Sequence, residues 1–263
     1  MKKTSNNLIP ASTVLIIRNG KNDLEVFMVA RHHEIDFASG ALVFPGGKVD
    51  SKDIGPDIRN FIVPDKDYVD EELSFRIAAI RESYEESGIL FAKYKANENL
   101  INNEKLEELQ KWRDRFNKNE TSMQEFAKKE NLKFSIESLI PFAHWITPNL
   151  MPKRFDTRFY LAAVPDGHKG THDGKESVDS LWISPRQAIE DCLSEKRTII
   201  FPTRMNLEKL RNSKTVEEAL SNARKQRIVT VLPRLEKTKE GVFLTIPKEA
   251  GYGDVKESLE NLR

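Results

Sequence analysis

The chain has 263 residues, 38% of them hydrophobic and 32% charged, with a formal net charge of +1. That length can bury a sizeable core without disulfides or a structural metal, and that balance excludes a disordered chain. A net charge this small excludes a global field that draws in nucleic acid or an anionic membrane, so an anionic ligand has to be held by local groups.

In chain order, the start is basic, but Leu8-Ile9-Pro10 is too short for a signal-peptide core. Residues 12–18 and 24–31 are β-branched and apolar on either side of Asn19-Gly20, which predicts a hairpin. Residues 41–44 predict a third strand, stopped by Pro45-Gly46-Gly47, and residues 48–72 read as an irregular surface insertion. Residues 74–87 carry Phe75, Ile77, Ala78, Ala79, Ile80 and Tyr84 and end at Gly88, the pattern of a helix with a glycine cap. A strand is expected over 89–92, then a charged helical pair over 103–131 acting as a flap or brace.

Strands follow near 138–147, 158–164 and 181–183, and Pro185 opens a helix to Leu193. Cys192, the single cysteine, allows no internal disulfide and suits a reducing cytosol. Its simplest reading is a small buried apolar side chain. Helices near 203–212 and 215–225 and strands near 227–233 and 242–246 close the chain. No stretch approaches the ~20 apolar residues of a membrane span, so the expectation is an unanchored cytoplasmic protein. The irregular alternation of elements predicts an α/β (α+β) fold, a mixed sheet flanked by helices in one domain spanning 1–263.

The informative segment is Arg81-Glu82-Ser83-Tyr84-Glu85-Glu86-Ser87-Gly88-Ile89. On a helix Glu82, Glu85 and Glu86 stand at i, i+3 and i+4, so three carboxylates share one face. Each such like-charge pair costs roughly 0.2–0.5 kcal/mol on an isolated helix, and Arg81, on a neighbouring face, relieves only part of it. A hard divalent cation reverses the sign, because carboxylate oxygens suit Mg²⁺ or Mn²⁺. An acidic triplet alone is usually a wet helix face. Here Phe44-Pro45-Gly46-Gly47 lies upstream, and its glycines allow backbone close to a ligand.

This order of strand, Gly-Gly, acidic helix and Gly88 resembles the Nudix box, G-x5-E-x7-R-E-U-x-E-E-x-G-U with U apolar. Residues 81–89 match every fixed charged or glycine position, Ser83 stands at an apolar one, and Gly47 matches the opening glycine. Arg81 follows Gly47 by 34 positions where the pattern has 14, so 20 extra residues sit inside the box. The mid-box Glu therefore has several candidates. Counting forward from Gly47 reaches Asp53, counting back from Arg81 reaches Leu73, and Glu71 or Glu72 could slip into the role.

An interrupted box is similar to a branch of this family that includes coenzyme A diphosphatases. Trp145-Ile146-Thr147-Pro148, residues 153–159, residues 172–176, Trp182-Ile183-Ser184-Pro185 and Pro202-Thr203-Arg204 resemble that branch too. The resemblance implies an α/β/α sandwich with a helical insertion near 100–133 and a C-terminal extension near 200–263. Of the signature that coenzyme A enzymes often carry ahead of the box, Arg31, Gly40, Phe44, Pro45 and Gly46 are kept. Asp36, His32 and Val29 stand where an Arg, a Ser and a Thr are usual.

The site that follows has Glu85 and Glu86 as primary ligands of Mg²⁺ or Mn²⁺, Glu82 as ligand or water-activating base, and the Gly47 carbonyl as a further ligand by resemblance. Arg81 is expected to fix helix and loop through ion pairs. Glu176 is the candidate acid from a later loop, with Asp173 behind it. Arg31, Lys153, Arg154 and Arg204 are the candidate phosphate grips. His144, His168 and His172 read as structural, Trp145 and Phe159 as core.

Three functions follow: hydrolysis of coenzyme A or acyl-coenzyme A at the diphosphate, the same reaction on ADP-ribose, a dinucleotide or another conjugate, or a non-catalytic ligand sensor. Sensors tend to lose the Glu triplet that this chain keeps. The expected partner is a small nucleotide diphosphate, with no nucleic acid and no membrane, and the C-terminal segments leave room for a homodimer.

Overall fold

The computed structural model describes residues 8–31, 40–63, 67–97, 99–174 and 177–258. The strand β1 (Ile9–Asn19) carries Val14, Leu15, Ile16 and Ile17, all without solvent exposure. Their side chains alternate between two separate apolar clusters, Val14 and Ile16 in one, Leu15 and Ile17 in the other. A strand covered on both faces reads as a continuous apolar run rather than an alternating one.

Around β1 lies an eight-stranded mixed sheet. β2 (Leu24–Arg31) pairs antiparallel with β1 as the hairpin signal predicts, and β3 (Leu42–Val43) extends that side. β4 (Gly46–Lys48) also pairs antiparallel with β1, so the Gly-Gly segment expected to stop a strand is itself one. The reason is steric: a Cβ on Gly46 would lie 2.5 Å from the Ser12 carbonyl oxygen, so only glycine fits this close a strand.

The first cluster is roofed by α1 (Asp70–Ser87), which begins four residues before the predicted start. Its first turn is acidic, Asp70, Glu71 and Glu72, which favours the helix N-terminus. Gly88 ends it in the left-handed region at φ +69°, donating its N–H to the Tyr84 carbonyl. Residues 89–91 are buried but carry no ladder; β5 (Ala92–Tyr94) is the strand, and it pairs with the unpredicted β6 (Leu132–Phe134).

Between β5 and β6 stand α2 (Asn103–Asn117) and α3 (Met123–Glu130). They brace α1: the Tyr84 hydroxyl donates to the Leu109 carbonyl at 2.5 Å, and its ring stacks on Phe126 at 5.8 Å. Residues 58–61 form a 3₁₀ turn whose Ile58 and Phe61 join the same cluster, so the segment 48–72 is not all surface.

β7 (Ile140–Ile146) and β8 (Phe155–Ala163) form the far half of the sheet, with β8 parallel to β1. β9 (Ser177–Ile183) pairs with β2. The second face is covered by α4 (Pro185–Leu193), α5 (Phe201–Leu210) and α6 (Val216–Lys225). β10 (Thr230–Val231) joins β7, and β11 (Arg234–Thr238), β12 (Gly241–Thr245) and β13 (Lys256–Ser258) make a separate small sheet. β11 is mostly exposed and β13 is short and polar; neither was predicted. The result is the expected α/β/α sandwich. Among the described residues, no helix is long and apolar enough to cross a membrane.

Candidate active site

The box residues stand on the second half of α1, above the β4 edge. Glu86 accepts the Gly46 N–H through Oε2 at 2.9 Å. Glu82 closes on the next residue, since a Cβ built on Gly47 would lie 2.5 Å from its Oε1. Two carboxylates four residues apart on a helix thus converge on the glycine strand. Glu85, one residue round the helix, is turned toward Arg81.

Arg81 gathers the cluster. Its Nε donates to Asp53 Oδ1 at 2.6 Å, and its Nη1 to Glu82 Oε1 at 2.8 Å and Glu85 Oε1 at 3.2 Å. Its Nη2 reaches the Lys48 carbonyl at 2.8 Å. Arg81 therefore spans two of the triplet acids rather than standing aside on a neighbouring face. The full cage of three side chains read from the helix does not stand ready-made. Among the described residues no three His, Cys, Asp or Glu side chains are grouped as a metal site. Glu82 and Glu85 are instead paired with the Arg81 guanidinium.

Burial penalises this charge. The Glu82 carboxyl is pushed up to about 7, chiefly by burial, with Glu85 and Asp53 adding repulsion and Arg81 opposing. Asp53 is raised as well, again by burial first. Arg81 is raised, the neighbouring carboxylates outweighing its own desolvation. A hard cation beside Glu82 would favour its charged form.

The three mid-box candidates separate cleanly. Asp53 is fully buried, pairs with Arg81 and caps the turn by accepting the Asp50 N–H at 2.7 Å. Glu71 and Glu72 instead pair with Arg158 on β8, and Glu72 also with Arg76. At 1.5 Å per residue, Glu72 lies ~13 Å down the helix from Arg81. The forward count from Gly47 thus lands on the residue in contact with Arg81.

A cleft of about 1600 Å³ opens beside this cluster. Glu82, Glu85, Arg81 and Asp53 line it, as do the β7–β8 connection, the α4–α5 connection and Leu244 and Glu257 of the small sheet. Arg31, Lys153 and Arg204 line it as candidate grips, with Lys48, Lys52 and Arg197, which sequence reading did not single out. Arg204 is already paired with Glu257 at 2.5 Å. Arg154 is not among the lining residues; its Nε donates to the Thr147 carbonyl at 3.0 Å. Glu176, His32 and Asp36 lie outside the described residues. Asp173 accepts the Ser177 N–H at 3.0 Å.

His144 pairs with Asp156 at 2.6 Å, His168 is buried and His172 faces Ser180. Trp145 and Phe159 are core, yet an edge of each also lines the cleft. Cys192 is half-buried and opens on the same cleft. Sequence reading missed Arg113 of α2. Nearly buried, it donates to the Glu85 carbonyl and to the Thr171 carbonyl, both at 2.8 Å, tying the brace and the 165–174 loop to the end of α1. No spacing rule marks such a residue, because its acceptors are main-chain atoms distant in sequence.

A family model described as the NUDT19 Nudix domain matches residues 62–210, more than half of the chain. The chain belongs to this Nudix family. The matched stretch holds α1 and its box acids, and the Gly46–Gly47 strand lies just ahead of it. The acyl-coenzyme A diphosphatase NUDT19 of Xenopus laevis is 26% identical over 89% of this chain and 73% of its own length. The human protein of the same name is 27% identical over 73% of this chain and 54% of its own length, so this chain spans little more than half of that relative. The crystal structure of a Nudix hydrolase from Alicyclobacillus acidocaldarius has a TM-score of 0.71 at 25% identity, covering 82% of this chain and 97% of that one.

Proposed function

We propose that this Nudix hydrolase cleaves the diphosphate bond of a nucleotide conjugate with Mg²⁺ or Mn²⁺, with coenzyme A or an acyl-coenzyme A as the first substrate. The observation that carries the reading is the convergence of Glu82 and Glu86 on the Gly46–Gly47 strand, which lines the large cleft together with Glu82 and Glu85. The donor set is all oxygen, which suits a hard divalent ion. When bound, the ion supplies charge for the phosphoryl oxygens and lowers the pKa of a bound water.

In this assignment Glu85 and Glu86 hold the ion together with the Gly47 carbonyl, and Glu82 is a ligand or takes the proton from the attacking water. Arg81 keeps Asp53 and the Lys48 carbonyl as partners, so it holds the 48–53 turn against the helix while its contacts to Glu82 and Glu85 are given up. Asp53 stands for the mid-box Glu, which puts the twenty extra residues between Asp53 and the body of α1. Arg31, Lys153 and Arg204 hold the remaining phosphate charge, and Glu176 or Asp173 supplies a further acid.

The coenzyme A substrate is supported by the names of the frog and human relatives and by Arg31, Phe44 and Gly46, signature residues that line the cleft. A substrate panel with Mg²⁺, read by product mass spectrometry, tests it. Coenzyme A should yield 3′,5′-ADP and 4′-phosphopantetheine. Turnover of ADP-ribose or a dinucleotide instead would reassign the substrate. Glu86→Gln within about twofold of the parent would remove the metal assignment.

A further inference from the structure

We propose that Lys209 is a modification site, an amine held at the wall of a second cavity and acylated there by an acyl thioester. That cavity, of about 430 Å³, shares no lining residue with the cleft of the box. Phe142 of β7, Lys209 of α5 and the successive Ala250 and Gly251 all line it. The Lys209 Nζ is set among those same residues. It reaches the Phe142 carbonyl at 3.4 Å and the Ala250 carbonyl at 3.5 Å, and a Cβ built on Gly251 would find Nζ at 4.0 Å. The amine therefore stands at the cavity wall.

What this amine lacks is an anion. Among the described residues no carboxylate pairs with it, and its two carbonyl contacts are at the long limit of a hydrogen bond. Its other neighbours are aromatic, the Phe142 ring at 5.2 Å and the Tyr252 ring at 5.1 Å. Tyr252 is fixed in place, its hydroxyl donating to Asn206 Oδ1 at 2.8 Å and accepting from Trp145 Nε1 at 3.0 Å, and burial keeps its phenol protonated. The other charged residues of the cavity wall are Arg227 and Glu249, both exposed. A lysine that only packs its stem carries the ammonium out to water. Here burial pushes the amine down to about 8, whereas Lys248, hydrogen-bonded to Asp254, is raised.

A desolvated amine of this kind is a nucleophile. At pH 7.5 roughly one quarter of Lys209 is free base, against roughly a thousandth of an ordinary lysine. Nucleophilicity falls with basicity, which takes back part of that gain and leaves about tenfold. In the reaction the Nζ lone pair attacks the thioester carbonyl carbon. The carbon–sulfur bond breaks, its electron pair leaves on sulfur, and the proton shed by nitrogen goes to the thiolate. An amide and a thiol result, with no change of oxidation state.

The test incubates the full-length protein in EDTA with acetyl-coenzyme A or with S-acetyl-N-acetylcysteamine, a thioester without a nucleotide. Each lysine is followed by peptide mass spectrometry from pH 6.5 to 10. At pH 7.5 both donors should acetylate Lys209 about tenfold faster than the median lysine. Its rate should level off above about pH 8.5 while those of exposed lysines keep climbing. A Lys209 rate at or below the median, or one still climbing at pH 10, overturns the proposal. Calorimetric binding of inorganic phosphate by the parent, together with a median Lys209 rate, would make the cavity an anion site instead. The nucleotide-free donor owes nothing to the box, so this result and the substrate panel fail independently.

Discussion

Glu82→Gln should make the metal-free protein more stable at pH 8 while removing its response to Mg²⁺. The carboxyl is buried and rises from its ordinary 4.5 to about 7, with burial as the largest cause. The folded chain then binds this proton more tightly than the unfolded chain. The contribution of Glu82 to stability is accordingly most favourable at or below pH 4.5, falls as pH rises to about 7 and stays reduced above. At 1.36 kcal/mol for each pH unit the cost at pH 8 is about 3 kcal/mol. The amide of Gln imitates the neutral acid and still offers an oxygen to Arg81, so it escapes that cost. For a chain of this size, ~2–4 °C per kcal/mol predicts a Tm ~6–12 °C above the parent at pH 8, and equal Tm near pH 4.5. Mg²⁺ at a hundred times its Kd should stabilise the parent by ~2.7 kcal/mol and the variant by far less. Thermal melts from pH 4.5 to 8, in EDTA and in Mg²⁺, read all of this. A variant no more stable at pH 8, or one that Mg²⁺ stabilises as much as the parent, would refute the electrostatic account of the site.

Gly47→Ala should cut turnover at least tenfold with little change in Tm, because the three atoms nearest the new methyl all belong to the Glu82 carboxylate, the far end of a flexible side chain; unchanged kinetics would mean that Glu82 need not lie on this strand. Asp53→Ala should destabilise by about 3 kcal/mol and raise the Mg²⁺ requirement, since it strips Arg81 of a buried partner. Glu72→Gln, which touches Arg76 and Arg158 instead, should leave the Mg²⁺ requirement alone; the opposite ranking in a Mg²⁺ titration would return the mid-box role to Glu72. Arg113→Met leaves the Glu85 and Thr171 carbonyls without their donor and should cost about 2 kcal/mol. Hydrogen exchange at the Thr171 amide, which donates to the Ser87 carbonyl, should then speed up, and an unchanged rate would show that the loop is held without Arg113.

What the sequence alone determined were features written in short-range spacing. The acidic face of α1 is a consequence of i, i+3 and i+4 positions, its end of Gly88, and the β1–β2 hairpin of two apolar runs around Asn19-Gly20. Those patterns depend on helix and strand periods that any chain obeys, so they survive without knowledge of the fold. Tertiary structure alone put Asp53, and not Glu71 or Glu72, in contact with Arg81, because a twenty-residue interruption makes the count ambiguous while the guanidinium donates only to the acids that reach it. It alone turned Gly46–Lys48 into a strand, a matter of how closely β1 approaches. It also placed Leu150 and Leu193 on one cleft with the box, forty-three positions apart in the chain, and left Arg154 out. Contacts between distant segments are set by how the two faces of the sheet are packed, and no local period records that.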